Sequence, residues 1–135
     1  MKKEKGEHEL NLYYAGCLKT VKKLLVKLAN NHGWFIIEIA DKNLYCQLRR
    51  NETEGKTRFE AVSHYYNKAL RKTLDKNFRS LGFQVRKDQN YAKKILLYSD
   101  DDVNKTAAEI MDIFIMHYGI DDDSIFEFKD LIIEN

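Results

Sequence analysis

The sequence predicts a single α+β domain, residues 1–135, in which helices pack on one mainly antiparallel sheet. Stretches with apolar residues at every third or fourth position indicate helices, and short runs of β-branched and aromatic residues indicate strands. The chain has no proline and only six glycines, which argues against an extended linker. The predicted order is helix, three strands, helix, two strands, helix.

The first helix is predicted from Leu10 to Leu28. Apolar side chains recur there with a period of 3.6 residues, and lysines occupy the opposite side. The polar segment 30–32 and Gly33 follow, and a glycine can take the left-handed conformation that ends a helix. We expect residues 1–8, which are mostly charged, to form a frayed N-terminus.

Three antiparallel strands are predicted next. The segments Trp34–Ile39 and Leu44–Arg49 are rich in β-branched and aromatic residues and flank a short polar turn at 41–43, which is typical of a β-hairpin. A polar loop then leads to a third strand from Arg58 to Val62.

A second helix and a second hairpin are predicted in the middle of the chain. Ser63 is the expected N-cap of a helix that continues to Leu81 and ends at Gly82. Two further strands, 83–86 and 91–98, are separated by a polar turn.

The third helix is predicted to begin at Ser99 or Asp100 and to end at Gly119. Aspartates fill its first turn, where negative charge stabilises the positive end of a helix. The tail element, residues 121–135, is predicted to be either a short helix or a strand.

Charge is distributed unevenly along the chain, although the formal net charge is only +2. Residues 1–48 hold 8 basic and 5 acidic side chains, residues 49–94 hold 13 and 5, and residues 95–135 hold 2 and 11. We expect the basic middle and the acidic end to be partly matched across the fold or across a dimer interface.

Enzymes, metal sites and cofactors are disfavoured by what the sequence lacks. The motifs of dinucleotide-binding, P-loop, zinc-protease and serine-hydrolase sites do not occur, and the four histidines lie far apart. The runs Asp100–Asp102 and Asp121–Asp123 lack the glycine and glutamate of an EF-hand loop. Cys17 and Cys46 lie among apolar neighbours, so we expect buried, reduced thiols. We predict no catalytic residue, no metal and no cofactor.

Neither a membrane span nor a secretion signal is expected. No stretch approaches the roughly 20 apolar residues that cross a bilayer, and acidic residues stand where the apolar run of a signal peptide would be. The sequence therefore predicts a cytoplasmic protein that does not associate with membranes.

A basic stripe on the second helix supports one functional hypothesis. Four side chains that share one side of this helix are Lys68, Lys72, Lys76 and Arg79. Such a stripe can neutralise phosphates, but the polar face of any amphipathic helix also carries charges. A nucleic-acid-binding module that uses this helix and the following hairpin is therefore the alternative hypothesis.

The first hairpin carries a stronger signal. Side chains alternate between the two faces of a strand, and the residues expected to face the core are Phe35, Ile37, Ile39, Leu44, Cys46 and Leu48. The opposite face then carries Trp34, Ile36, Glu38, Tyr45, Gln47 and Arg49. Because this second face is half apolar, either the tail or another protomer covers it, or it accepts a partner chain.

Short motifs spread over residues 34–133 give a family resemblance. They are Phe59–Tyr66, Leu81–Phe83, Asn90–Tyr91, an alanine-bearing helix that ends in Tyr118–Ile120, and the aromatic pair Phe126 and Phe128. In order and spacing they resemble the TY-Chap family, which gathers proteins related to type III secretion chaperones and YbjN. The chain departs from the family pattern at His64, Phe83 and Tyr91, where the family has Asn, Trp and Phe.

The resemblance implies a type III secretion chaperone-like fold and a non-enzymatic, dimeric domain that holds an extended or unfolded segment of a partner protein. The family has no established catalytic residues to carry over. Together with the half-apolar sheet face, it predicts a client protein or peptide as the partner. The predicted peptide-binding residues are Trp34, Ile36, Tyr45, Gln47 and Arg49.

Overall fold

In the described part of the chain, three α-helices and a five-stranded antiparallel sheet form an α+β fold, as the sequence predicts. The computed structural model describes residues 2–53, 55–63, 68–120 and 124–134. The elements are α1 (Lys2–Asn30), β1 (His32–Ile39), a 3-10 turn (Ala40–Lys42), β2 (Leu44–Arg50), β3 (Thr57–Ala61), α2 (Lys68–Ser80), β4 (Tyr91–Ile95), α3 (Asp100–Asp112), a π-helical turn (Ile113–His117) and β5 (Glu127–Ile133). The strand order in the sheet is β4-β3-β2-β1-β5.

The two faces of the sheet differ as the strand alternation predicts. Phe35, Ile37 and Ile39 on β1 are buried, and so are Leu44, Cys46 and Leu48 on β2. These side chains belong to one hydrophobic core with buried residues of all three helices. We call the face that they form the inner face, and the opposite one the outer face. The helices therefore pack on the inner face.

Each helix contributes a short apolar stripe to this core. Helix α1 buries Val21 and Leu25, and α3 buries Ile110. On α2, the ring of Phe78 stacks on that of Tyr91, with centroids 4.0 Å apart and an interplanar angle of 9°. Leu70, which the apolar period also places on the core side of α2, is instead 52% exposed.

Helix α1 begins at Lys2 and is therefore longer than the helix predicted from Leu10 by the spacing of apolar residues. Residues 2–8, expected to fray, are helical in this structure. The segment is rich in lysine and glutamate, which are good helix formers, and an apolar period cannot detect such residues. At the other end of α1, the guanidinium of Arg50 donates to the carbonyls of Leu28 and Ala29, where a cation stabilises a helix C-terminus.

The beginning of the second helix lies outside the described residues, so the predicted N-cap at Ser63 is not observed as one. In the described part, α2 starts at Lys68. The hydroxyl of Ser63 donates to the carbonyl of Gln89, and its backbone N–H donates to the side chain of Asn90 at 3.2 Å. Ser63 therefore ties the end of β3 to the turn before β4.

The predicted second hairpin is wrong in its first strand. Residues 83–86 form a single bridge, between Gln84 and Ala92, instead of a strand. Phe83 is buried, and its ring contacts those of Phe59 and Phe78 edge-on, each at 5.0 Å between centroids. This segment is therefore held by the packing of the Phe83 ring in the core and not by the backbone hydrogen bonds of a strand. The second strand, β4, ends at Ile95, three residues before the predicted end.

The third helix begins as predicted. Ser99 is its N-cap, because its hydroxyl accepts from the N–H of Asp102 at 3.2 Å while the Asp102 carboxylate accepts from the N–H of Ser99. This reciprocal arrangement is a capping box. After the π-helical turn, Gly119 has a φ of 64°, in the left-handed region that glycine favours.

The C-terminal tail is a strand, which decides between the two predicted possibilities. Strand β5 pairs with β1 along its length, so that Trp34 lies opposite Leu131 and Ile37 lies opposite Phe128. The pairing makes β5 one edge of the sheet and β4 the other. None of the helices in the described ranges contains an apolar stretch that could span a bilayer.

Candidate functional site

The outer face of the sheet brings together side chains from five separate strands. Its composition follows from the register: Trp34 on β1 lies opposite Arg49 on β2 and Leu131 on β5. Two residues along β1, Ile36 lies opposite Gln47 and Lys129. In the part of the chain that the structure describes, the helices pack on the inner face, so this outer face is the candidate site.

An apolar strip occupies the β1–β5 side of the outer face. Trp34 and Ile36 are half-buried, whereas Leu131 is 56% exposed and Ile133 is 51% exposed. Trp34 and Leu131 are directly opposed, and Ile36 and Ile133 lie two positions further along their strands. Side chains at such positions touch on one face of a sheet. The strip therefore presents an indole ring and aliphatic side chains together.

A basic row occupies the other side of the face. Arg49 on β2 lies opposite Arg58 on β3, and Arg58 lies opposite Lys94 on β4. All three residues are exposed. The carboxylate of Glu60 lies 3.8 Å from Nε of Arg58. A shallow depression on this face is lined by Gln47, Arg49, Arg58 and Glu60.

Carboxylates border the apolar strip at its far end. Glu38 on β1 lies opposite Glu127 on β5. The ammonium of Lys129 lies 2.7 Å from Oε1 of Glu38. The hydrogen bond to Glu38, followed by its negative charge, raises the pKa of Lys129. This pair thus neutralises one of the two carboxylates at that end.

Tyr45 occupies a different position from the other four predicted binding residues. It lies on the outer face, opposite Glu38, but its ring also packs against the core. Its hydroxyl accepts from the amide of Asn90 at 2.7 Å, and the same amide donates to Glu60 at 3.2 Å. Tyr45 is therefore held at the margin of the site, whereas Trp34 and Ile36 lie in the apolar strip.

The structure adds three residues to the five predicted for the outer face. Leu131 joins it because the tail pairs with β1 as a strand, and Arg58 and Lys94 join it through the register of β2, β3 and β4. A usable signal existed for Arg58, since the alternation Thr57, Arg58, Phe59 already places it on the polar face of its strand.

The basic stripe of α2 lies on a different surface. Lys72, Lys76 and Arg79 are exposed, and the side chain of Lys68 lies outside the described residues. Helix α2 packs on the inner face through Phe78, so its stripe is separated from the outer face by the sheet. Arg71 lies on the same helix, but its charge is paired, because its Nε lies 3.4 Å from the Asp75 carboxylate.

One ion pair on the inner face joins the basic middle of the chain to its acidic end. Lys93 on β4 contacts the carboxylate of Glu109 on α3, and the two side chains are 15% and 17% exposed. The same ammonium donates to the carbonyl of Leu81 at 2.7 Å and lies 4.5 Å from the ring centroid of Phe83. These groups stabilise the helix–sheet contact rather than form an open site.

The two cysteines are buried free thiols, as expected. Burial, with a smaller contribution from the negative charge of Glu109, raises the pKa of Cys46 above its ordinary value of 9.0. Cys46 is therefore a neutral core residue at physiological pH. Within the described ranges, no group of three or more histidine, cysteine and acidic side chains could hold a metal ion.

A second depression lies between the end of α1 and the start of α3, with a volume of about 220 Å³. Its walls include Val26, Leu97 and Val103. None of the predicted binding residues lines it.

Comparison with known protein families, with curated proteins and with solved structures gives no match.

Proposed function

We propose that this protein is a non-enzymatic, chaperone-like domain that binds an extended or unfolded segment of a partner protein on the outer face of its sheet. The observation that carries the proposal is the apolar strip formed by Trp34, Ile36 and Leu131, which the described helices leave uncovered. Contiguous apolar surface of this kind is typical of a protein-interaction site.

Burial of a partner's apolar side chains on the strip supplies the binding energy. Each Å² of apolar surface removed from water contributes about 25 cal/mol, and tryptophan is among the residues that most often dominate an interface. The charged groups beside the strip, Arg49 and Glu127 among them, fix the orientation of the bound segment and reject wrongly charged partners.

The resemblance to the TY-Chap family supports the same conclusion from the sequence. It extends the proposal to a cytoplasmic homodimer of type III secretion chaperone-like or YbjN-like character, with no cofactor. Neither subunit needs a catalytic residue for this role, because the affinity comes from surface burial and charge complementarity.

The test is a binding measurement with an alkylated, permanently unfolded test protein. The variant Trp34→Ala removes the largest side chain of the strip, and we expect it to weaken binding about tenfold or more, since loss of an interface anchor costs about 2 kcal/mol. Met116→Ala is the matched control, because Met116 is 72% exposed and belongs to the π-helical turn, not to a strand of the sheet. Unchanged affinity of a folded Trp34→Ala variant would contradict the proposal.

Nucleic-acid binding through α2 is the second candidate, and the exposure of Lys72, Lys76 and Arg79 favours it. It predicts an affinity for single- or double-stranded nucleic acid that falls steeply with salt. Replacing the whole stripe, Lys68, Lys72, Lys76 and Arg79, by glutamine should abolish that affinity and leave unfolded-protein binding intact. An affinity that does not change with salt would exclude it.

A further inference from the structure

We propose that the segment bound on the outer face is acidic as well as apolar: a short extended peptide with an apolar side chain at one position and carboxylates two and four residues later. This inference rests on the proposed function and specifies its partner. The apolar residue contacts Trp34 and Leu131, and the carboxylates contact Arg49, Arg58 and Lys94.

The basic row is the observation that carries this inference. Arg58 lies between Arg49 and Lys94 on neighbouring strands, directly opposite both. Like charges at directly opposed positions destabilise a sheet. The side chain of Arg58 is 53% exposed, and the carboxylate of Glu60, at 3.8 Å, lies beyond hydrogen-bond distance. A row of basic side chains that lowers the stability of the sheet and remains exposed to solvent is suited to binding an anionic partner.

The position of the row relative to Trp34 sets the spacing in the peptide. Trp34, Arg49, Arg58 and Lys94 form one line across four strands. Neighbouring strands are about 4.8 Å apart, so the line is about 14 Å long. In an extended peptide, every second side chain points the same way and is about 6.7 Å from the last. An apolar residue over Trp34 therefore places the next two same-side residues over the arginines and near Lys94.

The chemistry of the row favours carboxylates. Arginine presents a planar fork of donors that matches the two oxygens of a carboxylate. A phosphate could use the same donors, but a nucleic acid carries a charge on every nucleotide. Such a chain would meet Glu60, two residues from Arg58 on the same face, and Glu38 and Glu127 beyond the strip. A peptide of the proposed spacing places its carboxylates only over the basic row, Arg49, Arg58 and Lys94.

The experiment uses three fluorescein-labelled peptides with identical polar flanks and the cores Leu-Ser-Glu-Ser-Glu, Leu-Ser-Gln-Ser-Gln and Leu-Ser-Lys-Ser-Lys. A single-stranded oligonucleotide of the same length is the fourth probe. Anisotropy titrations are run with the unmodified protein and with the double variant Arg49→Gln/Arg58→Gln. The control double variant, Lys87→Gln/Lys105→Gln, removes the same charge at two exposed positions outside the outer face.

We expect the glutamate peptide to bind about tenfold more tightly than the glutamine peptide, and the lysine peptide to bind least. The arginine double variant should lose that preference and still bind the glutamine peptide as before, whereas the control variant should keep the preference.

Equal binding of the glutamate and glutamine peptides, each weakened by Trp34→Ala, would overturn this inference but leave the proposed function standing. If no peptide binds, or if Trp34→Ala has no effect, both fail. Tighter, arginine-dependent binding of the oligonucleotide would overturn the inference in favour of a nucleic acid.

Discussion

Gly33 on β1 and Leu131 on β5 approach so closely that a Cβ atom on Gly33 would lie 2.0 Å from the Leu131 carbonyl oxygen. Gly33 also has a φ of 131°, which L side chains rarely adopt. Both facts make glycine necessary at this position. The placement of Leu131 beside Trp34, and with it the apolar strip, depends on this close contact.

We expect Gly33→Ala to lower the free energy of unfolding by about 2 kcal/mol or more, since a strained backbone conformation alone costs about 1–3 kcal/mol. Urea denaturation followed by circular dichroism measures the change. Gly16→Ala is the matched control: Gly16 is exposed on α1 with no atom within 4 Å of an added Cβ, so the change should stabilise the protein by about 0.5–1 kcal/mol. A Gly33→Ala variant as stable as the unmodified protein would show that the β1–β5 contact is absent.

Local patterns in the sequence predicted the parts of the fold that depend on nearby residues. The burial of Phe35, Ile37 and Ile39 follows from a two-residue alternation, and the start of α3 follows from Ser99 and the aspartates after it. The same alternation placed Trp34 and Arg49 on the outer face. Each of these features is fixed by chemistry within a few residues.

Features that depend on long-range pairing were not predictable in this way. Residues 83–86 have strand-like composition, but Phe83 packs between Phe59 and Phe78 and the segment forms only one bridge. The basic row has no counterpart in the linear sequence, since Arg49, Arg58 and Lys94 meet only through the register of three strands. The tail forms a strand because its backbone pairs with the edge of β1 that β2 does not occupy.

The inner-face pair of Lys93 and Glu109 gives a second prediction. Lys93→Met keeps the aliphatic stem but leaves the mostly buried carboxylate of Glu109 without its cation, so we expect a loss of about 3 kcal/mol in the free energy of unfolding. The double variant Lys93→Met/Glu109→Leu should recover most of the loss, because no uncompensated charge remains. Lys105→Met, at an exposed position on α3, should change stability by less than about 0.5 kcal/mol. If the double variant lost as much free energy of unfolding as Lys93→Met alone, an uncompensated charge on Glu109 would not be the cause of the loss.

Cys46 gives a prediction about alkaline pH. Its pKa is raised in the folded protein by burial, so the unfolded chain releases the thiol proton first as the pH rises above 9.0. The unfolded state then binds fewer protons than the native state, and the free energy of unfolding falls by up to about 1.4 kcal/mol per pH unit from this group. Well below that pH the thiol is protonated in both states, so its ionisation makes no difference to stability.

The measurement compares the unmodified protein with Cys46→Ala by urea denaturation between pH 8 and pH 10. The unmodified protein should lose more stability over this range than the variant, because other titrating groups contribute equally to both. In a Cys17→Ala background, Cys46 should react with a thiol reagent no faster than the protein unfolds. Fast labelling of the folded protein would mean that the Cys46 side chain is accessible.

The basic row predicts that Arg58 lowers the stability of the sheet on which it lies. Arg58→Gln removes two directly opposed like-charge contacts, with Arg49 and Lys94, and one long contact with Glu60 that contributes little at such exposure. We expect the free energy of unfolding to rise by about 0.5–1 kcal/mol at low ionic strength. Added salt screens the repulsion, so the advantage of the variant should shrink as sodium chloride rises to about 0.5 M. Lys87→Gln, at an exposed turn position, should show no such salt-dependent gain. If Arg58→Gln were less stable than the unmodified protein at every salt concentration, Arg58 would be a residue that stabilises the sheet. The basic row would then hold no repulsion that binding of an acidic segment could reduce.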